Sequence, residues 1–256
     1  MTHNDEKSNR YMVDAVDKAC TLLNLISNNP NLSLADLSRI SGINKSRCMR
    51  LLLTLGKHNI VSKENDQSWA LGIGAVILGQ KATHQYSVID VINKHLKNLR
   101  DDINETAQFR ILSGLKSICI AKADSTRSIR IHSAIGMPMD LYFGSSKVLL
   151  AFADRHIVDK VTSTKMEKFT DNTITDAVLL RKELQKIRKQ GYAISRGERT
   201  SGVLALGVPI HDMNQKLVGA ISISGPEERL HVNIDRTIEK LFQIQDQLSN
   251  KFDFDF

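Results

Sequence analysis

The sequence has few cysteines, few aromatic residues and no long apolar run. Its three cysteines, Cys20, Cys48 and Cys119, lie far apart, with no CxxC pair and no histidines at zinc-ligand spacing. We therefore expect reduced, buried thiols, no metal site and no cofactor. No apolar run approaches the roughly 18 residues that a membrane-spanning helix needs, so we expect no membrane partner.

The start of the chain lacks the features of a targeting signal. Residues 1–9 are polar, carry both signs of charge and have no apolar core, unlike a secretory signal or a transit peptide. We expect a short disordered arm in a cytoplasmic protein. Catalytic motifs are missing too: GxSxG, HExxH and the P-loop do not occur, and the eight histidines are scattered. The sequence therefore does not predict an enzyme.

Acidic residues are absent between Asp36 and Glu64, while six lysines and arginines fall inside that window. The whole chain carries a formal net charge of +7, which is compatible with a polyanionic partner. The positive charge is concentrated in this window.

Three helices are predicted in and before this window. Apolar spacing predicts the first over residues 13–26, with a buried face formed by Val13, Val16, Cys20, Leu23 and Ile26.

Capping residues place the other two helices. Ser33 can cap a short second helix, with Asp36 three residues later, and Ser41-Gly42 then forces a tight turn. Asn44 can cap a third helix, from about residue 45 to residue 58, with Asn59 as its left-handed C-terminal residue. Three helices with a glycine-containing turn before the last one indicate a helix-turn-helix.

The third helix has one apolar face and one face of hydrogen-bond donors. Its core side is formed by Cys48, Leu51, Leu52 and Leu55. The opposite side is a stripe of donors about three turns long, and we expect no carboxylate to neutralise it. A basic stripe alone is explained better by a solvated amphipathic helix, but the preceding helix-turn-helix favours DNA binding.

A DNA major groove admits one helix, so side chains near the N-terminus of that helix reach base edges. We expect Arg47 and Arg50 to read bases, and Lys45, Lys57 and Lys63 to contact phosphates. Leu53 could contact a thymine methyl or be simply exposed. The predicted DNA-binding residues are Lys45, Ser46, Arg47, Arg50, Thr54, Lys57 and Lys63.

The segment after the third helix predicts a β-wing and then two helices. IVSKENDQSWAL, residues 60–71, places apolar-bearing segments on both sides of a polar turn at residues 64–67. LGIGAVILG, residues 71–79, does not fit GxGxxG and is interpreted as a hydrophobic linker helix entering a dimer contact. A further helix is predicted over residues 87–104. We expect a DNA-binding domain over residues 10–72, linker and dimer helices over 73–104, and a second domain over 105–256.

The second domain is predicted to be α+β, with a mainly antiparallel sheet. Strands are expected at AQFRIL, KSICIAKA, SIRIHSAI, GVLALGVPI and KLVGAISIS, and helices over residues 176–190 and 234–248. The carboxylates Glu198, Glu227 and Glu228 stand beside arginines and are expected to form solvated surface pairs.

Several segments, in this order, resemble the IclR-type bacterial transcriptional regulators. They are VDAVDKACTLLNLI, LSLADLSRISGINKSRCMRLLLTL, WALGIGAVILG, GSSKVLLAF, TITDAVLLRKELQKIRKQGYAISRGE, SGVLALGVPIHD and ISISGPEERL. The resemblance implies a winged helix-turn-helix joined by a linker helix to a GAF-like effector-binding domain. It also implies a homodimer, or a dimer of dimers, on a palindromic operator, with an organic acid or aromatic metabolite as effector.

The resemblance also implies an effector pocket between a loop and the last two strands. Carried over by position, its residues are Gly144, Ser145, Ser146, Ser195, Ala205, Ser222 and Ser224. Ser146 stands where the family usually has glycine, or the loop is one residue shorter here. Ser195 stands where many members have aspartate, and Ala205 where cysteine is common. Ser222 and Ser224 could instead satisfy neighbouring backbone groups.

The function implied is that of an effector-modulated regulator, expected to repress a catabolic operon. The alternative is a constitutive DNA-binding regulator whose second domain only oligomerises.

Overall fold

A computed structural model of the chain describes residues 11–64, 67–85 and 87–249, with the side chains of residues 83–88 left outside the description. The predicted N-terminal arm and the turn residues Asn65 and Asp66 lie outside the described residues. The chain divides into two compact units between Tyr86 and Ser87. The two predicted linker helices therefore belong to different units.

The first unit contains the predicted helix-turn-helix and wing. Its helices are α1 (Asp14–Asn28), α2 (Leu34–Ser41), α3 (Lys45–Lys57) and α4 (Ile73–Gln85). Its strands are β1 (Leu32–Ser33), β2 (Val61–Lys63) and β3 (Ser68–Leu71), which form an antiparallel sheet in the order β1-β3-β2. The pairing of β1 with β3 ties the wing to the start of α2 and was not predicted.

The predicted capping residues begin α2 and α3 and end α2. The backbone N–H of Asp36 donates to the Ser33 hydroxyl at 3.2 Å, and that hydroxyl donates to the Asp36 carboxylate at 2.6 Å. Gly42 ends α2 with φ 70°, a left-handed conformation that glycine adopts without steric cost. The Asn44 side chain then accepts the N–H of Arg47 at 2.9 Å and starts α3.

The prediction for the buried face of α1 was partly wrong. Leu22 and Ile26 pack in the core, but Val13, Val16 and Cys20 are exposed. Apolar residues occupy more than one side of α1, and the side carrying Leu22 and Ile26 is the one that packs against the helix-turn-helix. Cys48 and Cys119 are buried as expected, whereas Cys20 is an exposed thiol.

The second unit is a six-stranded antiparallel sheet in the order β6-β5-β4-β9-β8-β7. Its strands are β4 (Thr106–Ser113), β5 (Lys116–Ala123), β6 (Pro138–Asp140), β7 (Ala193–Arg196), β8 (Val203–His211) and β9 (Leu217–Pro226). Its helices are α5 (Ser87–Ile103), α6 (Lys147–Phe152), α7 (Arg155–Ser163), α8 (Ala177–Gln190), α9 (Glu227–Leu230) and α10 (Ile234–Leu248). Short 3-10 turns span Gly144–Ser146 and His231–Asn233.

Two apolar clusters hold helices against the sheet. The first joins α5 and α10 to β4, β5, β8 and β9, with Leu96, Phe109 and Leu241 among its fully buried members. The second is built around α6, α7 and α8, and Leu149 and Ile187 are fully buried in it. The turn before α6, which carries several predicted site residues, is thus fixed by the packing of α6.

The predicted strand SIRIHSAI, residues 128–135, was wrong. In the structure this segment is a loop, and β6 is the edge strand beside β5 instead. Side chains hold the loop where a strand would use backbone pairing: Thr106 donates to the carbonyl of Ile131 at 3.1 Å and Lys122 to that of Ser133 at 2.7 Å. Ile129 and Ile135 are both exposed, so their alternation does not mark a buried face.

None of the helices in the described ranges combines the length and apolarity that crossing a bilayer would require.

Candidate functional sites

The face of α3 opposite its buried side presents a row of donors, here called the donor stripe: Ser46, Arg47, Arg50, Thr54 and Lys57. Most of these residues are exposed, as is Lys45 in the first turn, while Arg47 is half-buried. The Thr54 hydroxyl donates to the carbonyl of Arg50 at 2.8 Å, which leaves its oxygen free to accept. Cys48 and Leu52 are buried on the other side, so α3 is anchored through one face and free on the other.

The expectation that no carboxylate neutralises the donor stripe was wrong. Asp14, at the start of α1, forms an ion pair with Arg47, and it also accepts from Lys18 at 2.6 Å. These bonds, chiefly that from Lys18 and then that from Arg47, hold the pKa of Asp14 below its ordinary value. The acid-free window of the sequence misses this contact because Asp14 lies 33 residues before Arg47.

The other predicted DNA contacts lie on the same unit. Lys63 is exposed at the end of β2, directly before the turn of the wing. Leu53 is exposed on α3, with 57% of its surface accessible, so it is available for an apolar contact.

The second unit contains a cavity of about 310 Å³ between the loop before α6 and the strands β7, β8 and β9. Five of the predicted effector residues line it: Gly144, Ser145, Ser195, Ala205 and Ser224. Its apolar wall includes Ile131, Met137, Met139, Phe143 and Val203. The cavity also reaches the loop 130–133, which was predicted to be a strand.

Ser146 and Ser222 do not line the cavity. The Ser146 hydroxyl is buried against that of Ser117, with 2.7 Å between the two oxygens. Ser222 is buried on β9 opposite Gly207 of β8. A side chain at Gly207 would meet Cβ of Ser145 at 3.1 Å and Cβ of Ser222 at 3.3 Å, so the bare glycine lets the loop lie directly on the sheet.

A buried ion pair holds this loop, and it corrects the expectation that Glu198 lies on a solvated surface. Lys147, the first residue of α6, is fully buried, and its ammonium donates to the carboxylate of Glu198. It also donates to Glu183 and to the carbonyl of Ile194, each at 3.2 Å. The second oxygen of Glu198 accepts the N–H of Gly144 at 2.9 Å. Glu198 therefore connects the loop to the start of α6.

Glu227 follows the expectation, since it pairs with Arg196 at 2.7 Å with both side chains partly exposed.

Arg110, which sequence reasoning did not single out, is a buried cation at the cavity. Its side chain lies on β4 and the residue is only 3% exposed. The guanidinium donates to the hydroxyl and the carbonyl of Ser117 at 3.0 and 2.9 Å, and to the carbonyl of Met137 at 2.8 Å. A longer contact, 3.4 Å, reaches the amide oxygen of Gln108. Burial lowers the pKa of Arg110 from its usual value.

Gln108 connects Arg110 to Ser224 across the cavity wall. Its amide oxygen accepts the Ser133 hydroxyl at 2.9 Å, and its amide nitrogen donates to Ser224 at 3.3 Å. Ser117 makes the corresponding connection to Ser146 on the loop side. Arg110 therefore lies between the two elements that the sequence predicted to hold an effector.

Two further arginines line the cavity. Arg199 lies over the rings of Phe143 and Phe169, at 5.4 and 5.3 Å from their centroids. Arg130 donates to the carbonyl of Arg127 at 3.2 Å. Both are exposed, so they belong to the open side of the cavity.

Comparison with known proteins covers both units. A family model described as "IclR helix-turn-helix domain" matches residues 15–65, and one described as "Bacterial transcriptional regulator IclR C-terminal" matches residues 80–250. Among curated relatives, the DNA-binding transcriptional repressor YiaJ of Escherichia coli strain K12 is 31% identical over 91% of this chain and 86% of its own length.

Solved structures show the same fold. An IclR transcriptional regulator from Alicyclobacillus acidocaldarius matches with a TM-score of 0.86 and 25% identity, over 93% of this chain and 98% of that one. An IclR homologue from Microbacterium hydrocarbonoxydans, complexed with 4-hydroxybenzoate, matches with a TM-score of 0.81 and 17% identity, over 91% and 96% of the two chains.

Proposed function

The chain belongs to the IclR family of DNA-binding bacterial transcriptional regulators, and we propose that it is a cytoplasmic repressor whose operator affinity is set by a small organic anion. The relatives are transcriptional regulators and not enzymes, and the protein is of the same kind. The effector and its effect on DNA binding are the parts proposed.

The observation that carries the proposal is the cationic character of a cavity that also has an extensive apolar wall. Three arginines, Arg110, Arg130 and Arg199, line it together with a single carboxylate, that of Glu198. Glu198 is already bonded to Lys147 and to the N–H of Gly144. An organic anion would offset the positive charge, while its carbon skeleton would pack on the apolar wall. The 4-hydroxybenzoate held by a protein of the same fold is an anion of this kind.

On the DNA side, we propose that α3 enters the major groove with its N-terminal turns foremost. Arg50 is exposed, and the structure describes no carboxylate bonded to it, so it is the strongest candidate for reading a base. Lys45, Lys57 and Lys63 are exposed cations suited to phosphates. A homodimer or a dimer of dimers would place two such helices on the halves of a palindromic operator.

The decisive experiment begins by isolating genomic fragments bound by the purified full chain and measuring its affinity for the recovered site by fluorescence anisotropy. The titration is then repeated with 4-hydroxybenzoate and with a panel of small organic acids, while thermal unfolding is followed in parallel. We expect at least one acid to raise the melting temperature, because a ligand that binds only the folded form stabilises it. The same acid should change operator affinity.

The alternative, a constitutive regulator, predicts specific DNA binding with no change in melting temperature and no change in affinity for any acid of the panel. That result would contradict the proposal.

A further inference from the structure

We infer that Arg110 is a specificity-determining residue that receives one carboxylate of the effector, with Arg199 as the second cation, so that the cavity selects a dicarboxylate over a monocarboxylate. The inference rests on the proposed function, because it assigns the chemistry of the same cavity.

The first support is the burial of Arg110 without a charged partner. An arginine withdrawn from water is normally paired with a carboxylate, because leaving a buried charge unpaired is strongly unfavourable. Here the acceptors of Arg110 are hydroxyl, amide and carbonyl oxygens of Ser117, Met137 and Gln108. No ion pair of Arg110 with Asp or Glu occurs among residues 11–64, 67–85 and 87–249. A counter-ion entering the cavity would supply the missing negative charge.

The second support is the geometry of the guanidinium. Five N–H donors project from it, and four of its hydrogen bonds hold the side chain to Ser117, Met137 and Gln108. The contact with Gln108 is the longest and weakest, at 3.4 Å, and it involves Nη1. Of the two N–H groups on Nη1, one has no acceptor among the described residues and the other is weakly used. A carboxylate can accept the unused N–H in a charge-assisted hydrogen bond, and its recognition needs little rearrangement because the plane of the guanidinium is already fixed.

The third support is a second cation close by. Arg199 lines the same cavity as Arg110, and its charge adds to the effect of burial in lowering the pKa of Arg110. Arg199 is itself held by the rings of Phe143 and Phe169, at 5.4 and 5.3 Å, and is not paired with a described carboxylate. Glu198 cannot neutralise either arginine without giving up Lys147 and Gly144.

These charges favour a ligand with two negative ends. One carboxylate would lie at the buried guanidinium of Arg110, on the side of the cavity where Gln108 is hydrogen-bonded to Ser224. The other carboxylate would lie at the exposed guanidinium of Arg199. A monocarboxylate satisfies only one of the two cations. The apolar wall formed by Met137, Met139 and Val203 suits the methylene chain between the two ends.

The test is isothermal titration of the full chain with length-matched acids: succinate, glutarate and adipate against butyrate, pentanoate and hexanoate. We expect at least one dicarboxylate to bind about tenfold or more tightly than its monocarboxylate partner, since each charge-assisted hydrogen bond contributes roughly this factor or more. Arg199→Met should collapse that ratio toward one. Arg110→Met should weaken both series by about tenfold or more.

Arg155→Met is the matched control, because Arg155 is a highly exposed arginine on α7 of the same unit. It should bind both series like the unaltered protein. Arg110→Lys keeps the charge but loses the fixed planar donors of the guanidinium. It replaces Arg110→Met if that variant fails to fold, and it should still weaken dicarboxylate binding.

Equal binding of the two series to the unaltered protein would overturn the inference, as would Arg110→Lys binding dicarboxylates at full strength. If a monocarboxylate such as 4-hydroxybenzoate binds and changes operator affinity equally in the Arg110 variants and the unaltered protein, the proposed function stands and only this inference fails. If none of these acids binds while specific DNA binding persists, both fail.

Discussion

The two units use positive charge in opposite ways. On α3, Arg50 and Lys57 are exposed to water, and even the ion pair of Arg47 with Asp14 is more than one-third exposed on both sides. In the second unit, Arg110 and Lys147 are almost completely buried. Lys147 has two glutamates as partners, whereas the acceptors of Arg110 within the described part of the chain are all neutral.

This difference shows what each charge can do. Exposed cations interact weakly with one another and are screened by salt, which suits attraction to a polyanion over a broad surface. Buried cations have strong, local effects, because low-dielectric surroundings screen their interactions only weakly. The same residue types therefore serve attraction to DNA in one unit, and structure and selective recognition in the other.

The largest effect should come from removing the buried cation of the second unit. Lys147→Met leaves Glu198 buried without its partner, so we expect the free energy of unfolding of this unit to fall by about 3–5 kcal/mol. Urea denaturation followed by circular dichroism measures the loss. The protein's single tryptophan, Trp69, lies in the first unit, so its fluorescence transition should move much less.

Lys116→Met is the control for this experiment, since Lys116 pairs with Asp140 at 2.5 Å with about half of its side chain exposed. Its cost should stay within about 1 kcal/mol. Similar losses for both variants would show that burial does not distinguish the two lysines.

The next effect concerns the exposed cations of α3. Arg50→Ala should weaken binding to the recovered operator by about 1–3 kcal/mol and relax base preference at one position. Lys57→Ala should weaken cognate and random DNA alike, as expected for a phosphate contact. Anisotropy titrations at one fixed salt concentration measure both. An equal loss on cognate and random DNA for Arg50→Ala would remove Arg50 from base reading.

A smaller effect should follow from releasing Arg47. Asp14→Asn removes the carboxylate that bonds Arg47 and Lys18, so affinity for random DNA should rise by about a fewfold, with a steeper dependence on salt. Asp17→Asn changes the net charge equally on the same helix, but Asp17 has no ion pair among the described residues. If both variants raise affinity to the same extent, net charge and not the release of Arg47 is responsible.

The smallest effect should be a pH dependence at His211, the last residue of β8. Burial lowers the pKa of this imidazole, and its ring meets the edge of Phe152 at 5.3 Å between centroids. The folded form therefore holds the proton less tightly than the unfolded chain does. Stability from this residue is present above the unfolded pKa of about 6.5 and declines as the pH falls below it. His211→Phe should flatten the fall in melting temperature between about pH 7 and pH 5. An unchanged slope would place the pH dependence elsewhere.

The helix-turn-helix could be predicted closely because its signals are local. Ser33, Gly42 and Asn44 act within three or four residues of their partners, and the turns they form do not depend on the rest of the fold. The antiparallel pair β8 and β9 was also evident, since two apolar runs flank a short polar turn.

The missed features depend on contacts between residues far apart in the chain. Lys147 and Glu198 are 51 residues apart, and they come together because the turn before α6 packs beside β7. Arg110 looks like an ordinary polar position of a half-exposed strand until its contacts with Ser117 of β5 and with Met137, just after the loop 128–135, are known. That loop was predicted as a strand because alternation alone does not reveal whether a partner strand is available. The predicted roles of the cavity residues stay predictions until a ligand is measured.

Gly207 limits which substitutions can change the ligand preference of the cavity. Gly207 has no side chain to stand between its own backbone and the facing atoms of Ser145 and Ser222. The close approach of the loop to the sheet therefore sets the depth of the site at this point. A methyl group here would press on Cβ of Ser145 and Cβ of Ser222, so the loop or the strand would have to give by a few tenths of an ångström. New ligand preferences should therefore arise more readily by exchanging side chains around the opening than by reshaping the floor.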